Sequence, residues 1–115
     1  MRSQLPDWAV WQGGNEYTLG AEEEVMLLNP HDWSLAQQID RVLPRLPESM
    51  DGHVTRETHT SALELGTGIH QTAGGIHEEL RTLRGQLDRE LAALGLRAAS
   101  AGTHPSTVWH ETVVS

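Results

Sequence analysis

Residues 17–28 end in an apolar run and are predicted to form a β-strand, with odd-numbered positions on one face and even-numbered positions on the other. Glu23 falls on the face of the odd-numbered positions, whereas Glu22 and Glu24 fall on the opposite face. The last four residues of the segment, 25–28, are apolar on both faces, which is typical of a strand in the middle of a sheet.

Helical spacing marks two further elements. Residues 72–94 carry an apolar stripe at steps of three and four, which predicts one long amphipathic helix. The stripe consists of Ile76, Leu80, Leu83, Leu87, Leu91 and Leu94. Gly95 stands where a left-handed C-terminal cap is expected. The run 34–37, Ser-Leu-Ala-Gln, has the pattern of a capping box and predicts a short helix that ends at Pro44 and Pro47.

The remaining segments complete an α+β chain in the order β-α-β-α-β. Residues 53–66 are predicted to be extended, and residues 96–102 to form a strand of small residues. Residues 1–16 contain one proline, two glycines and two tryptophans, and they predict a loose lead-in that docks its tryptophan side chains. Residues 17–115 are then one domain, in keeping with a length of 115 residues.

Charge and composition narrow the classes of function. The chain has a net charge of −8, all eight basic residues are arginine, and cysteine is absent. This balance argues against nucleic acid or an anionic membrane as a partner, since both require a cationic surface. A nucleotide is still allowed, because Mg²⁺ mediates between carboxylates and phosphates. With no disulfide and no apolar run of 18 residues, we expect a cytoplasmic protein.

The first candidate site is the pattern Gly20-x-Glu22-x-Glu24. Two carboxylates on one strand face lie roughly 7 Å apart, a spacing that lets both reach one divalent cation or a pair of ions. Gly20 leaves room on that face for a ligand to approach the backbone. The alternative is a solvated edge strand, where glutamate is common.

Glu57 and Glu64 form the second candidate group. Glu64 stands between Leu63 and Leu65, so its carboxylate points away from their apolar face. Glu57 precedes it by seven residues, and this odd separation puts the two on opposite faces of an unbroken strand. A shared site therefore requires a bulge or a bend between them; otherwise Glu57 is a surface charge.

Five histidines could in principle form a metal site, but none has the spacing of a known zinc motif. They are His53, His59, His70, His77 and His104. A structural metal-binding domain built on histidines or carboxylates is kept as an alternative.

Four short motifs in order resemble the glutamate–cysteine ligase type 2 family, also called the carboxylate–amine ligases. They are GAEEE at 20–24, LNP at 28–30, ALELGTGIH at 62–70 and AGTHP at 101–105. The leucine-striped helix lies between the third and the fourth. The resemblance extends from about residue 17 to residue 109.

The resemblance implies a glutamine-synthetase-like fold, in which an antiparallel sheet forms a funnel for ATP, metal ions and an amino acid. It also implies a reaction in which ATP phosphorylates the side-chain carboxylate of glutamate and an amine such as cysteine attacks the acyl phosphate. By position, Glu22, Glu24, Glu57 and Glu64 match carboxylates that hold Mg²⁺ or Mn²⁺. Thr103 and His104 match a loop near the substrate or nucleotide.

The chain is much shorter than members of that family, so we expect an incomplete catalytic domain that is inactive alone. Its sheet would then have open edges and pair with a second copy or with a completing chain. The alternative function is a non-catalytic binding or assembly module.

Overall fold

The computed structural model describes residues 5–11, 13–14 and 17–115. The elements in chain order are β1 (Glu22–Leu28), α1 (Ile39–Val42), β2 (Val54–Arg56), β3 (Ala62–Gly66), α2 (Ala73–Ala93) and β4 (Arg97–Ala99). Every strand pair is antiparallel, and the order across the sheet is β2-β3-β1-β4. This confirms the α+β class, with one long and one short helix. Neither helix of the described segments combines the length and apolarity that crossing a membrane requires.

Strand β1 lies in the middle of the sheet, as its apolar end predicted, because it pairs with β3 on one side and β4 on the other. The strand is shorter than the predicted 17–28. Tyr17 has φ of 60°, in the left-handed region, and Leu19 forms only an isolated bridge with His70. The left-handed turn at Tyr17 ends the extended backbone on that side, and regular pairing with β3 begins at Glu22.

The prediction of one extended segment over 53–66 is wrong. The chain turns at residues 57–61, and β2 pairs with β3 as a hairpin. The sheet therefore has four strands, and β-α-β-α-β misses one of them. Residues 58–61 are all polar, and Thr60 and Ser61 are nevertheless buried in this turn. The Thr60 hydroxyl donates to Gln37 Oε1 at 2.8 Å, which satisfies it there.

Helix α2 covers one face of the sheet, and its bounds confirm the prediction of a helix at 72–94. Leu83, Leu87 and Leu91 of the stripe are buried in the core. On the sheet side they meet Val25, Leu27, Leu63 and Leu65. Burial of each large aliphatic side chain contributes about 1.5–3 kcal/mol, so this layer fixes helix to sheet. The ends also follow the sequence: Thr72 Oγ1 accepts from Gly75 N at 3.1 Å, and Gly95 has φ of 72°.

The prediction of a helix-starting capping box at Ser34 is wrong. The Ser34 hydroxyl donates to Asp32 Oδ1 at 2.7 Å, and Leu35 forms a bridge with Leu28. Helix α1 begins later and has no side-chain cap at Gln38. Tertiary pairing with the end of β1 has taken residues 34–36 out of the helix. The helix does end before Pro44, as predicted, and continues as a short 3₁₀ turn.

The prediction that the tryptophans of the lead-in dock on the domain is also wrong. Trp8 and Trp11 are 87% and 90% exposed, so neither packs on the domain. Residues 7–9 form a 3₁₀ turn of their own. Other parts of the predicted lead-in, Asn15 among them, lie outside the described residues.

Candidate active site

The face of the sheet opposite α2 carries the predicted carboxylates, and we call Glu22, Glu24 and Glu64 the carboxylate face. Glu24 pairs directly across the strands with Glu64, and Glu22 pairs with Gly66. Cross-strand partners point to the same side of a sheet, so β1 and β3 bring the three together. Thr55 of β2 lies beside Glu64, and its hydroxyl is 3.5 Å from Glu64 Oε1.

Glu57 follows β2 at the start of the turn, so the bend that the sequence required is present. Continuing the register of β2 and β3 by one residue places Glu57 opposite Ala62, on the side of Glu64. Its side chain now bonds locally, since Thr58 N donates to Glu57 Oε2 at 2.9 Å. Glu57 lies beyond the last paired residue of β2, at the edge of the hairpin next to the carboxylate face.

Two clefts open on this face, one on each side of the pairing between Glu24 and Glu64. The first has a volume of about 500 Å³. It is lined by Gly20, Ala21, Glu22, Gly52, His53, Thr55, Glu64, Gly66 and Thr67. The second cleft, of about 240 Å³, is smaller. It is lined by Glu24, Met26, Leu35, His59, Ser61, Ala62, Gly102, Thr103, His104, Thr107, Trp109 and Thr112.

The carboxylate face fits a hard divalent cation by donor chemistry. Carboxylate oxygens are the preferred ligands of Mg²⁺, and an opposed pair of like charges is destabilising until a cation lies between them. The side chains have not converged, since the described residues contain no group of three or more His, Asp or Glu in a metal-holding arrangement. Metal binding therefore requires the exposed side chains of Glu22 and Glu24 to rotate.

Glu23 lies on the other face, as the alternation predicted. It faces α2, its side chain is only 18% exposed, and Glu23 Oε1 lies 3.3 Å from Arg84 Nε. That oxygen is buried and has no hydrogen-bond partner among the described residues. The ion pair with Arg84 is thus what balances a carboxylate on the covered side of the sheet.

A cluster around Glu79 supports the first cleft and was missed by sequence reasoning. The Glu79 carboxylate accepts from Gly68 N, at 3.1 Å to Oε2, and bonds the His70 ring. These two hydrogen bonds, that with His70 first, lower the pKa of Glu79. His53 Nδ1 lies 3.6 Å from Glu79 Oε1 and donates to Gly66 O at 2.8 Å. The cluster ties α2 to the segment that lines the first cleft.

One signal could have identified this cluster in the sequence. A Cβ atom on Gly75 would lie 2.7 Å from His70 Nδ1, so the glycine makes room for the ring. The pair Gly74-Gly75 in the first turn of an otherwise strong helix is costly without such a reason. Glu79 lies one helical turn after Gly75, so a histidine ring placed over Gly75 would reach its carboxylate.

Thr103 and His104 line the second cleft together with Glu24. His104 bonds protein atoms with both ring nitrogens, as described below. Gly20 lies beside the first cleft, and a Cβ atom there would lie 3.8 Å from Gly68 O, in ordinary contact. Gly20 thus lines the cleft, and the space around it would admit a Cβ atom.

The histidines do not assemble into a zinc site within the described part of the chain. His53 and His70 meet at Glu79, whereas His59 lines the second cleft and His77 is exposed on α2. A structural domain built around histidine-bound zinc therefore has no support in the geometry.

Comparison with known proteins gives a consistent result. The profile of glutamate–cysteine ligase family 2 matches residues 18–115. A protein of Rubrobacter xylanophilus named "Putative glutamate–cysteine ligase 2-1" is 37% identical over 103 residues, 90% of this chain and 27% of the relative. A protein of Methylibium petroleiphilum with a similar name is 36% identical over 95 residues, 82% of this chain and 26% of the relative. The chain spans about a quarter of the length of these curated relatives.

Proposed function

The chain belongs to glutamate–cysteine ligase family 2, and from this membership we propose that it is the N-terminal part of an ATP-dependent carboxylate–amine ligase. Such an enzyme phosphorylates the side-chain carboxylate of glutamate and lets an amine such as cysteine displace the phosphate, giving a γ-glutamyl amide. The observation that carries the proposal is the carboxylate face, where Glu24 and Glu64 are direct cross-strand neighbours between two clefts.

The carboxylates supply the metal-holding part of this chemistry. Glu22, Glu24 and Glu64, with Glu57 at the rim, would hold Mg²⁺ or Mn²⁺. When bound, the ion neutralises phosphate oxygens and the charge that develops during phosphoryl transfer. Glycines lining the first cleft leave the backbone accessible there. The volume of this cleft, about 500 Å³, is within the range of ligand sites, roughly 300–1,000 Å³.

We expect this chain alone to bind the metal without completing the reaction. The relatives are about four times as long, and the chain has no lysine to contribute to binding a triphosphate. Groups outside the matched quarter, or a second chain, would supply the remaining contacts. The formation of γ-glutamylcysteine from ATP, glutamate and cysteine by the purified chain would overturn this part of the proposal.

Calorimetric titration with Mn²⁺ tests the site itself. We expect binding that is weakened at least tenfold in Glu22→Gln and in Glu24→Gln. Glu78→Gln is the matched control, because it removes the same charge from an exposed position on α2. Equal affinity in all four proteins, or no binding at all, would refute the carboxylate face as a metal site.

Exposed edges and side chains favour one further function, that of an assembly module. Strands β2 and β4 are the outer strands of the described sheet, and Ile69 and Trp109 are 81% and 83% exposed. Such surfaces favour pairing with another chain. Sedimentation equilibrium over a hundredfold range of concentration tests this function, and a strictly monomeric species without Mn²⁺ binding would leave neither function supported.

A further inference from the structure

The ring of His104 is fixed in one tautomer by its hydrogen bonds. Its Nδ1 atom accepts from Ser106 N at 3.2 Å and from Thr107 N at 3.1 Å. The Thr107 hydroxyl lies 2.9 Å from the same nitrogen. A backbone N–H only donates, so Nδ1 must carry its lone pair. The proton is then on Nε2, which donates to the carbonyl of Trp33 at 2.8 Å.

Of these bonds, the one from Nε2 to Trp33 joins two separate segments of the chain, whereas those at Nδ1 lie within the loop that carries His104. Trp33 lies in the turn after β1, where its φ of 60° is in the left-handed region and its amide donates to Asn29 O at 2.9 Å. Ser106 and Thr107 belong to the loop after β4, which we call the 103–107 loop. The ring is half-buried between them. His104 is thus the link between the 103–107 loop and the end of the central strand.

The 103–107 loop forms one wall of the second cleft. Thr103, His104 and Thr107 all line this cleft, and Glu24 of the carboxylate face lies across from them in the same space. The position of the wall therefore sets the room available beside Glu24. The hydrogen bonds that fix the 103–107 loop therefore also fix the shape of the second cleft beside Glu24.

We infer that His104 is a positioning residue: its neutral ring clamps residues 104–107, in the wall of the second cleft, into one conformation, and protonation of the ring loosens them. Protonation adds a hydrogen to Nδ1, so the nitrogen no longer accepts, and its new N–H faces two backbone N–H groups. Those two donors lose their partner, while the bond from Nε2 to Trp33 is retained. The loop then stays attached to Trp33 but loses the two hydrogen bonds that hold Ser106 and Thr107 against the ring. The regulation of a ligase site in this way rests on the proposed function; the clamp itself does not.

Other titratable groups near the clamp come from the second cleft, from the turn before Trp33 and, as His110 and Glu111, from the 3₁₀ turn after the loop. Glu24 and His59 line the same cleft, and His31 and Asp32 precede Trp33 in the turn. Hydrogen bonds from the Ser34 hydroxyl and amide lower the pKa of Asp32, so it stays ionised through the mildly acidic range where histidine titrates. His31→Gln and His59→Gln test the two neighbouring histidines.

Amide hydrogen exchange of Ser106 and Thr107 measures the clamp directly. We expect their protection, corrected for intrinsic exchange, to fall about tenfold between about pH 7.5 and pH 5. The amide of Leu27, which donates to Ser61 O in the core, should keep its protection and report that the fold is intact. Protection of the two loop amides that does not change with pH would overturn the inference.

Two variants distinguish the clamp from general loosening. In His104→Asn the side-chain oxygen takes the place of Nδ1, accepts from the same amides and does not titrate, so protection should persist at both pH values. In His104→Ala the protection of the Ser106 and Thr107 amides should be low at both pH values. If His104→Asn still loses protection in acid, or if His59→Gln abolishes the acid loss, the group responsible is not His104.

Mn²⁺ titration at the same two pH values separates this inference from the proposed function. Binding that weakens in acid in the wild type but not in His104→Asn supports both. If Mn²⁺ binds at neither pH, the metal site is refuted, and the hydrogen-exchange data still test the clamp independently. Intact Mn²⁺ binding with pH-independent amide protection refutes the clamp alone.

Discussion

Replacing Glu64 by glutamine should stabilise the metal-free protein and remove most of its response to Mg²⁺. Glu64 stands directly opposite Glu24, and opposed like charges on neighbouring strands cost roughly 0.2–1 kcal/mol. The variant should therefore gain about 0.5 kcal/mol, which for a domain of this size raises Tm by about 2 °C. Glutamine is nearly isosteric and still accepts from Thr55, so little else changes.

The response to Mg²⁺ gives the larger signal. A ligand present at ten times its Kd stabilises the native state by about 1.4 kcal/mol, equal to a rise in Tm of about 5 °C. Thermal unfolding followed by circular dichroism, with and without millimolar Mg²⁺, measures both effects. We expect the wild type and Glu78→Gln to show the full rise, and Glu64→Gln to show less than about 2 °C. If wild-type Tm does not change across millimolar Mg²⁺, the carboxylate face is only a solvated surface.

Four further substitutions, at three places in the fold, test the supporting structure. Arg84→Gln should cost about 1 kcal/mol in urea unfolding, because the Glu23 carboxylate loses its cationic neighbour while solvent partly screens the half-exposed Arg84. Gly75→Ala should destabilise, since its Cβ atom would lie 2.7 Å from an imidazole ring, whereas Gly74→Ala should stabilise by about 0.5–1 kcal/mol. The pKa of Glu79 is lowered from 4.5, so its ionised form stabilises the fold above that pH. This stabilisation should be lost as the pH falls further. Glu79→Gln, which has no carboxylate to protonate, should not show this loss.

Each of these has an outcome that would contradict it. Arg84→Gln should be compared with Arg81→Gln, an exposed change on the same helix, and equal stability of the two variants would show that the ion pair contributes nothing. Equal effects of alanine at the two glycines would show that the close approach of the His70 ring to Gly75 is not decisive. If the free energy of unfolding falls equally in wild type and in Glu79→Gln as the pH is lowered below 4.5, another group causes that loss of stability.

The periodic elements were predictable because one face of each is buried. The stripe of α2 and the alternation in β1 follow directly from burial against a core, and both were predicted correctly. The failures occur where a long-range contact decides local structure. Ser34 looks like a helix cap, but its neighbour Leu35 pairs with the end of β1. Residues 57–61 look extended, but buried hydrogen bonds from Thr60 hold a turn.

The candidate site shows the same division. The sequence by itself determined that Glu22 and Glu24 share a face and that Glu23 does not, because alternation is a property of a single strand. It also determined the family, through motifs that are local in the chain. Only the tertiary structure decided that Glu24 lies opposite Glu64, that Glu79 holds the wall of the first cleft and that His104 holds the wall of the second. These contacts depend on register and on turns between distant segments, and pairing between strands is set by the assembled core rather than by either strand alone.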